Sequence, residues 1–247
     1  MNSISPTLNI MIRACEKASK VIVRDFGEIE NLQVSKKSPK DYVTKTYKKV
    51  EEILIDELSK SKKKYSFITE ESGIIENTNK DTCWIIDPID GRTNFIHGVP
   101  HFAISISLKV KEIFKIGLVF DPIKNEIFYA EENSGAFLNN RRIRVSKKNN
   151  IENCLFGTGG SKLFKTDMKV RNSGCVSLDM AYVAAGRYDG YYHEKINIWD
   201  IAAGIVLIKE AGGIISKLDV NRIKNLKIVA SSSEINMQLN ANIDPKF

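Results

Sequence analysis

Trp84-Ile85-Ile86-Asp87-Pro88-Ile89-Asp90-Gly91 joins a short apolar run to two aspartates, a proline and a glycine. A short apolar run bounded by turn residues is a buried strand, and carboxylates at its end fall at the rim of a sheet, where the backbone leaves the core. Pro88 fixes φ and removes one amide donor, while Gly91 permits a tight reversal. Asp87 and Asp90 can therefore face one point from two sides of a single turn, with the carbonyl of Ile89 directed there as well. The following residues, Gly91-Arg92-Thr93-Asn94, offer amide hydrogens that form an anion nest if a helix begins at this point.

Two other segments share this character: Phe67-Ile68-Thr69-Glu70-Glu71-Ser72 and Trp199-Asp200-Ile201-Ala202-Ala203-Gly204. Taken singly, each is as readily a turn or a helix start. Taken together, acidic residues at the ends of apolar segments point to a metal site, because carboxylates gathered around one point repel each other unless a cation lies between them. Oxygen-only ligands favour Mg²⁺ over zinc or copper. Carboxylates beside a phosphate-binding turn are what metal-assisted hydrolysis requires. The metal-ligand candidates are Glu70, Asp87, Asp90 and Asp200.

Outward from these segments, Ser5-Pro6 predicts the start of a helix that runs to about Asp25 and stops at Gly27. Val50, Ile53, Leu54 and Leu58 predict a second helix over about Tyr47–Ser59. Strands are expected at Tyr65–Thr69, Trp84–Asp87, Phe102–Val110, Lys115–Phe120 and Glu126–Ala130, the last three as an antiparallel meander. A strand near Cys154–Thr158 precedes a helix at Ser177–Arg187, a strand at Tyr188–Tyr192 and a helix at Trp199–Ala211. Strands near Ile214 and Ile228 and a closing helix complete a mixed α and β pattern.

The 247 residues can bury a full core as one large unit, and 43% hydrophobic with 27% charged residues is an ordinary globular composition. We expect a single unit over 1–247, with most metal candidates in a half ending near 145 and Asp200 in the half from about 146. No window is apolar enough to span a membrane and the N-terminus lacks a signal-peptide pattern, so the expected compartment is the cytoplasm. The four cysteines are scattered without a CxxC pair and the three histidines form no HxxxH pair, which argues for buried thiols and against zinc. The net charge of +7 raises nucleic-acid binding, but the excess is lysine spread over helices and turns, and no nucleic-acid motif accompanies it. Solvated lysine faces account for it, and such a surface also suits the attraction of an anionic ester.

The three acidic segments resemble the inositol monophosphatase family of lithium-sensitive, Mg²⁺-dependent phosphatases. The matching elements are Glu70-Glu71, Asp87-Pro88-Ile89-Asp90-Gly91, Trp199-Asp200 and, after eleven further residues, Gly212-Gly213. Asp41-Tyr42-Val43-Thr44, Thr93-Asn94-Phe95-Ile96-His97-Gly98 and Ala181–Asp189 extend the likeness over nearly the whole chain. The resemblance implies an α+β fold of layered αβαβα type, a homodimer, and hydrolysis of a small phosphate monoester, inositol 1-phosphate before others. It implies one Mg²⁺ on Glu70, Asp87 and the Ile89 carbonyl and a second on Asp87, Asp90 and Asp200. It implies catalytic roles for Glu70, Asp87, Asp90 and Thr93, and substrate contacts from Asp90, Gly91, Arg92, Thr93, Gly174, His193 and Asp200.

Four departures from the family pattern qualify this. Arg92 stands where the family has Thr or Ser, whose hydroxyl helps the first Glu orient the nucleophilic water, and arginine cannot act as a base at neutral pH. Its guanidinium either pairs with Glu70 and competes with the first metal, or points outward or grips the phosphate. Tyr47 replaces an early aspartate. His193 stands where a substrate-contacting glutamate is expected, with Glu194 displaced by one position. Only about ten residues separate Gly160 from Arg171, where relatives insert a helix beside the active site. The expectation is a weakened or altered phosphatase that still binds one Mg²⁺, with a binding partner of RNA or transcription machinery as the non-enzymatic alternative. His97, His101, Trp84, Trp199 and the Tyr188, Tyr191 and Tyr192 group read as packing or surface residues.

Overall fold

The computed structural model describes residues 4–29, 39–159 and 168–243, with side chains described from residue 45 onward in the second span. The side chains of the Asp41–Thr44 match and most of the shortened Gly160–Arg171 stretch lie outside the described residues.

Helix α1 (Pro6–Gly27) starts where the sequence places it. Ser5 Oγ accepts the Leu8 amide at 3.1 Å, an N-cap worth about 1 kcal/mol. Its Leu8, Met11, Cys15, Ala18 and Ile22 form one buried stripe at helical spacing. Helix α2 (Pro39–Ser61) begins eight residues earlier than the predicted Tyr47. Apolar periodicity marks only the buried face (Tyr47, Val50, Leu54, Leu58), and the polar first turns behind Pro39 carry no such signal.

Strands β1 (Tyr65–Thr69), β2 (Gly73–Ile75), β3 (Asn79–Asp90), β4 (Ala103–Val110), β5 (Ile113–Asp121), β6 (Glu126–Glu131), β7 (Gly135–Leu138) and β8 (Arg141–Ile143) form one sheet in the order β2-β1-β3-β4-β5-β6-β7-β8. β1 and β3 are parallel, and the expected meander is present as antiparallel β4, β5 and β6. A short helix, α3 (Arg92–Ile96), lies between β3 and β4. The second sheet contains β9 (Phe156–Thr158), β10 (Val170–Arg171), β11 (Gly190–Ile196), β12 (Ile214–Ile215) and β13 (Leu226–Ser231), in the order β10-β9-β11-β13-β12. Helices α4 (Val176–Ala184) and α5 (Ile198–Glu210) interleave with it, and α6 (Ser233–Asn242) closes the described chain.

Strand alternation assigns the layers. On β3, Trp84 and Ile86 join the core beneath α1 and α2, while Ile85 points to the opposite face and packs with α4 and α5. On β11, Tyr191 faces that same middle layer and Tyr192 faces α6; on β13, Ile228 and Ala230 divide from Val229 in the same way. The result is helix pair, eight-stranded sheet, helix pair, five-stranded sheet, helix: the layered α+β arrangement expected. Helix α5 is buried on all sides from Ile198 to Ile208, as its sequence, apolar apart from Asp200, requires. It lies so close to the large sheet that a Cβ on Gly117 of β5 would come 2.4 Å from the Ala203 carbonyl oxygen.

The four cysteines form no disulfide; Cys15, Cys154 and Cys175 are buried and Cys83 is partly so. No helix among the described residues is long and apolar enough to cross a membrane.

Candidate active site

β3 continues three residues beyond the predicted Asp87 because its register against β4 breaks there. Asp87 pairs with Ser105 and Asp90 with Ala103, so three steps on β3 oppose two on β4. Such a bulge re-aims side chains. Asp87 and Asp90 are thereby turned into the same cleft, where Asp87 Oδ1 also accepts the Ile89 amide at 3.0 Å. Gly91 must then reverse the chain at φ +96, and a Cβ on it would come 2.9 Å from the His101 carbonyl oxygen. Asp200 arrives from the other half of the chain on the first turn of α5, where its Oδ2 caps its own helix by accepting the Asn197 amide at 3.0 Å.

Ligand oxygens of Asp87, Asp90 and Asp200 all lie within 4.8 Å of one another. All three side chains are at least nine-tenths buried. The cleft, about 260 Å³, is lined by Glu70, Asp87, Ile89, Asp90, Gly91, Arg92, Thr93 and Gly174, and also by Val176, Asn197 and Asp200. It therefore gathers every predicted site residue except His193. That residue sits on β11 opposite Ile228, its ring against Gly159 and its Nδ1 accepting the Lys195 amide at 3.1 Å. As the sequence suggested, His97 is exposed, His101 packs edge-on against Tyr182, and Trp84 and Trp199 are buried in the core.

The electrostatics are those of crowded acids. Burial, followed by the charges of Glu70, Asp90 and Asp200, raises Asp87 well above the usual carboxylate range. Burial and then Asp90 push Asp200 up to about 8. Asp90 is also raised by burial, against the pull of hydrogen bonds from Ser177, Cys175 and Gly91. Glu70 is raised by burial, with Arg92 acting in the opposite direction.

The structure decides between the two orientations left open for Arg92. The guanidinium is hydrogen-bonded to Glu70, and its other nitrogen reaches Glu71 Oε1 at 3.4 Å. It lies 5.7 Å from the centre of the Tyr47 ring, and the Tyr47 hydroxyl donates to the Arg92 carbonyl at 3.5 Å. The Glu70-Glu71 turn is fixed from below by Glu51, whose carboxylate, 2% exposed, accepts the amides of Glu71 at 3.0 Å and Ser72 at 2.9 Å. The donor set thus fits one hard divalent ion on Asp87, Asp90 and Asp200. It does not fit a second on Glu70, where a guanidinium stands in the way.

Glu51, Asn197, Val176 and Ser177 escaped the sequence reading. Glu51 is one of an adjacent Glu51-Glu52 pair between Val50 and Leu54, and nothing in that pattern singles it out; the Asn-x-x-Asp spacing of 197 and 200 is the trace of the helix cap. Asn94 is a further anchor: its Nδ2 donates to the His101 carbonyl at 2.7 Å and the Ser173 carbonyl at 2.8 Å, fixing the Gly174 turn against the Gly91 turn.

The sequence model described as the inositol monophosphatase family matches residues 3–245. The chain is 40% identical over 252 residues to an inositol-1-monophosphatase of Mesorhizobium japonicum, covering 95% of each. It is also 40% identical over 226 residues to the Nus factor SuhB of Escherichia coli K12, covering 85% of each. Among solved structures, the extragenic suppressor protein suhB of Bartonella henselae superposes with a TM-score of 0.86 at 39% identity, covering 98% of this chain and 100% of that one. An inositol monophosphatase from Thermotoga maritima superposes at 0.80 with 32% identity, covering 94% of each. The chain belongs to the inositol monophosphatase family, a family of metal-dependent phosphatases.

Proposed function

We propose that the protein hydrolyses a small phosphate monoester, inositol 1-phosphate before others, with Mg²⁺ bound by Asp87, Asp90 and Asp200. The observation that carries this reading is the convergence of those three buried carboxylates within 4.8 Å in one cleft. An all-oxygen donor set of this kind suits Mg²⁺. When bound, the ion would neutralise charge on the phosphate and stabilise the departing alkoxide.

The chain's own groups do the rest. The turn at Gly91, Arg92 and Thr93 lines the cleft beside the aspartates and offers its amides to phosphate oxygens. The Gly174 turn, tied to the Gly91 turn through Asn94, also lines the cleft and limits where the alcohol portion of the substrate can lie. Glu70 takes a proton from the attacking water, helped by the Thr93 hydroxyl. Its pairing with Arg92 stabilises the carboxylate and so weakens it as a base, which makes hydrolysis slower than an unpaired glutamate would permit. The reading includes a cytoplasmic homodimer of a single unit spanning 1–247.

The test is Mg²⁺-dependent phosphate release from inositol 1-phosphate, with fructose 1,6-bisphosphate, 3′-phosphoadenosine 5′-phosphate and histidinol phosphate alongside. Release from one ester, abolished by chelation and by Asp200→Asn, supports the reading. A second reading has one specific observation in its favour: Arg92 sits on the residue that would serve as base, and relatives at 40% identity carry the name Nus factor SuhB. Salt-dependent RNA binding with no release from any ester would favour that transcription-associated role and contradict hydrolysis.

A further inference from the structure

Among the described residues, five carboxylates, those of Glu70, Glu71, Asp87, Asp90 and Asp200, meet at or beside the cleft, and one side-chain cation, Arg92, is in contact with them. That cation is half-exposed, and its inner side is held by three groups. Its nitrogens contact Glu70 and Glu71, and the Tyr47 ring lies 5.7 Å from its central carbon. The Glu71 amide is anchored by Glu51, and Tyr47, 4% exposed, is tied by its hydroxyl to the Arg92 backbone. A guanidinium carries its charge at every pH the protein will meet. A divalent ion approaching Glu70 would have to displace it and leave the arginine without its two carboxylates.

We infer that Tyr47 and Arg92 together are a built-in substitute for one of two divalent ions: Tyr47 seats the guanidinium, the guanidinium neutralises Glu70 and Glu71, and only Asp87, Asp90 and Asp200 remain to take an exchangeable ion. This rests on the hydrolytic reading for the identity of the exchangeable site and adds a role for Tyr47 as a positioning residue. The two departures from the family pattern are then one compensated change. An aspartate at position 47 would contribute a further carboxylate to the cluster, whereas tyrosine supplies a flat, uncharged face that a guanidinium stacks upon. The substitution gives the site a cation that cannot be chelated away, at the cost of a second metal.

Metal stoichiometry tests this without reference to activity. Mn²⁺ is titrated into the metal-free full-length protein and free ion is followed by electron paramagnetic resonance, for native protein, Tyr47→Phe, Arg92→Thr and the double variant Tyr47→Asp/Arg92→Thr. Circular dichroism checks that each is folded, and half-exposed Arg92 makes the single Arg92 variant the safe one. Native protein and Tyr47→Phe are expected to bind one ion per chain. Both Arg92 variants are expected to bind two, the second about tenfold more tightly in the double variant because it adds a carboxylate. Two ions in the native protein, or one in both Arg92 variants, would overturn the inference while leaving the hydrolytic reading intact. No ion in any of the four would overturn the hydrolytic reading and this inference with it.

Discussion

The amide of Ser177 donates a 2.6 Å hydrogen bond to Asp90 Oδ2, joining the end of β3 to the first turn of α4 across 87 positions of sequence. Asp90 is thus both a candidate metal ligand and the acceptor that fixes the start of a helix. Asp90→Asn keeps an acceptor for the amide but removes the charge. In metal-free buffer it should melt within about 1 kcal/mol of native, while losing the rise in Tm that Mg²⁺ gives the native protein. Asp90→Ala leaves the amide unpartnered and should cost about 1–3 kcal/mol as well. An undiminished magnesium effect in the Asn variant would remove Asp90 from the ligand set.

Glu51 is expected to matter more than its sequence context suggests. It accepts two amides from inside the protein, and Glu51→Ala leaves the Glu71 amide without a partner and the Ser72 amide with only Thr69 Oγ1 at 3.3 Å. Chemical denaturation should show a loss of about 1–3 kcal/mol per amide as an upper range, with Glu51→Gln, which retains one acceptor, losing less. A loss below about 0.5 kcal/mol for the alanine variant, the level of an ordinary surface change, would mean the turn does not depend on it.

Arg92→Thr should speed phosphate release. It frees Glu70 and restores a hydroxyl beside it, and general-base assistance is worth about 10²–10⁴-fold in rate. Measured as kcat on inositol 1-phosphate at saturating Mg²⁺, an increase of at least about tenfold is expected. A fall in kcat would show instead that Arg92 assists the reaction.

pH should act on the metal-free protein in a defined direction. Burial raises Asp87, Asp90 and Asp200 above their usual range, Asp200 to about 8, whereas in the unfolded chain they ionise near pH 4. Between those values the folded form holds protons that the unfolded chain has released. The stability they contribute is complete at low pH and is lost as pH rises through their raised values, which for Asp200 is about 8. In EDTA, Tm should therefore fall between pH 6 and pH 8.5, and the gain on adding Mg²⁺ should be larger at the higher pH. An equal gain at both would contradict the crowded-acid description.

The layers and the acidic cleft were legible because they depend on local patterns. Apolar alternation on β3 and β11, the stripe of α1 and the apolar run Ile201–Ile208 of α5 each fix a face or a depth of burial. Asp87-Pro88-Ile89-Asp90-Gly91 carries its own turn chemistry. What could not be read locally is what depends on partners distant in sequence: Glu51 beneath Glu71, Asn94 on Ser173, and Ser177 on Asp90. Strands β2, β7, β8 and β10, two to four residues each, are too short for a periodic signal. The aim of Arg92 was undecided for the same reason, since its partners Glu70 and Tyr47 come from two other elements.

The most direct test is anomalous diffraction from crystals soaked in Mn²⁺. One peak per chain is expected, within bonding distance of Asp87, Asp90 and Asp200, with the Arg92 guanidinium still on Glu70. The absence of density among the three aspartates, or a peak on Glu70 with Arg92 swung away, would contradict it.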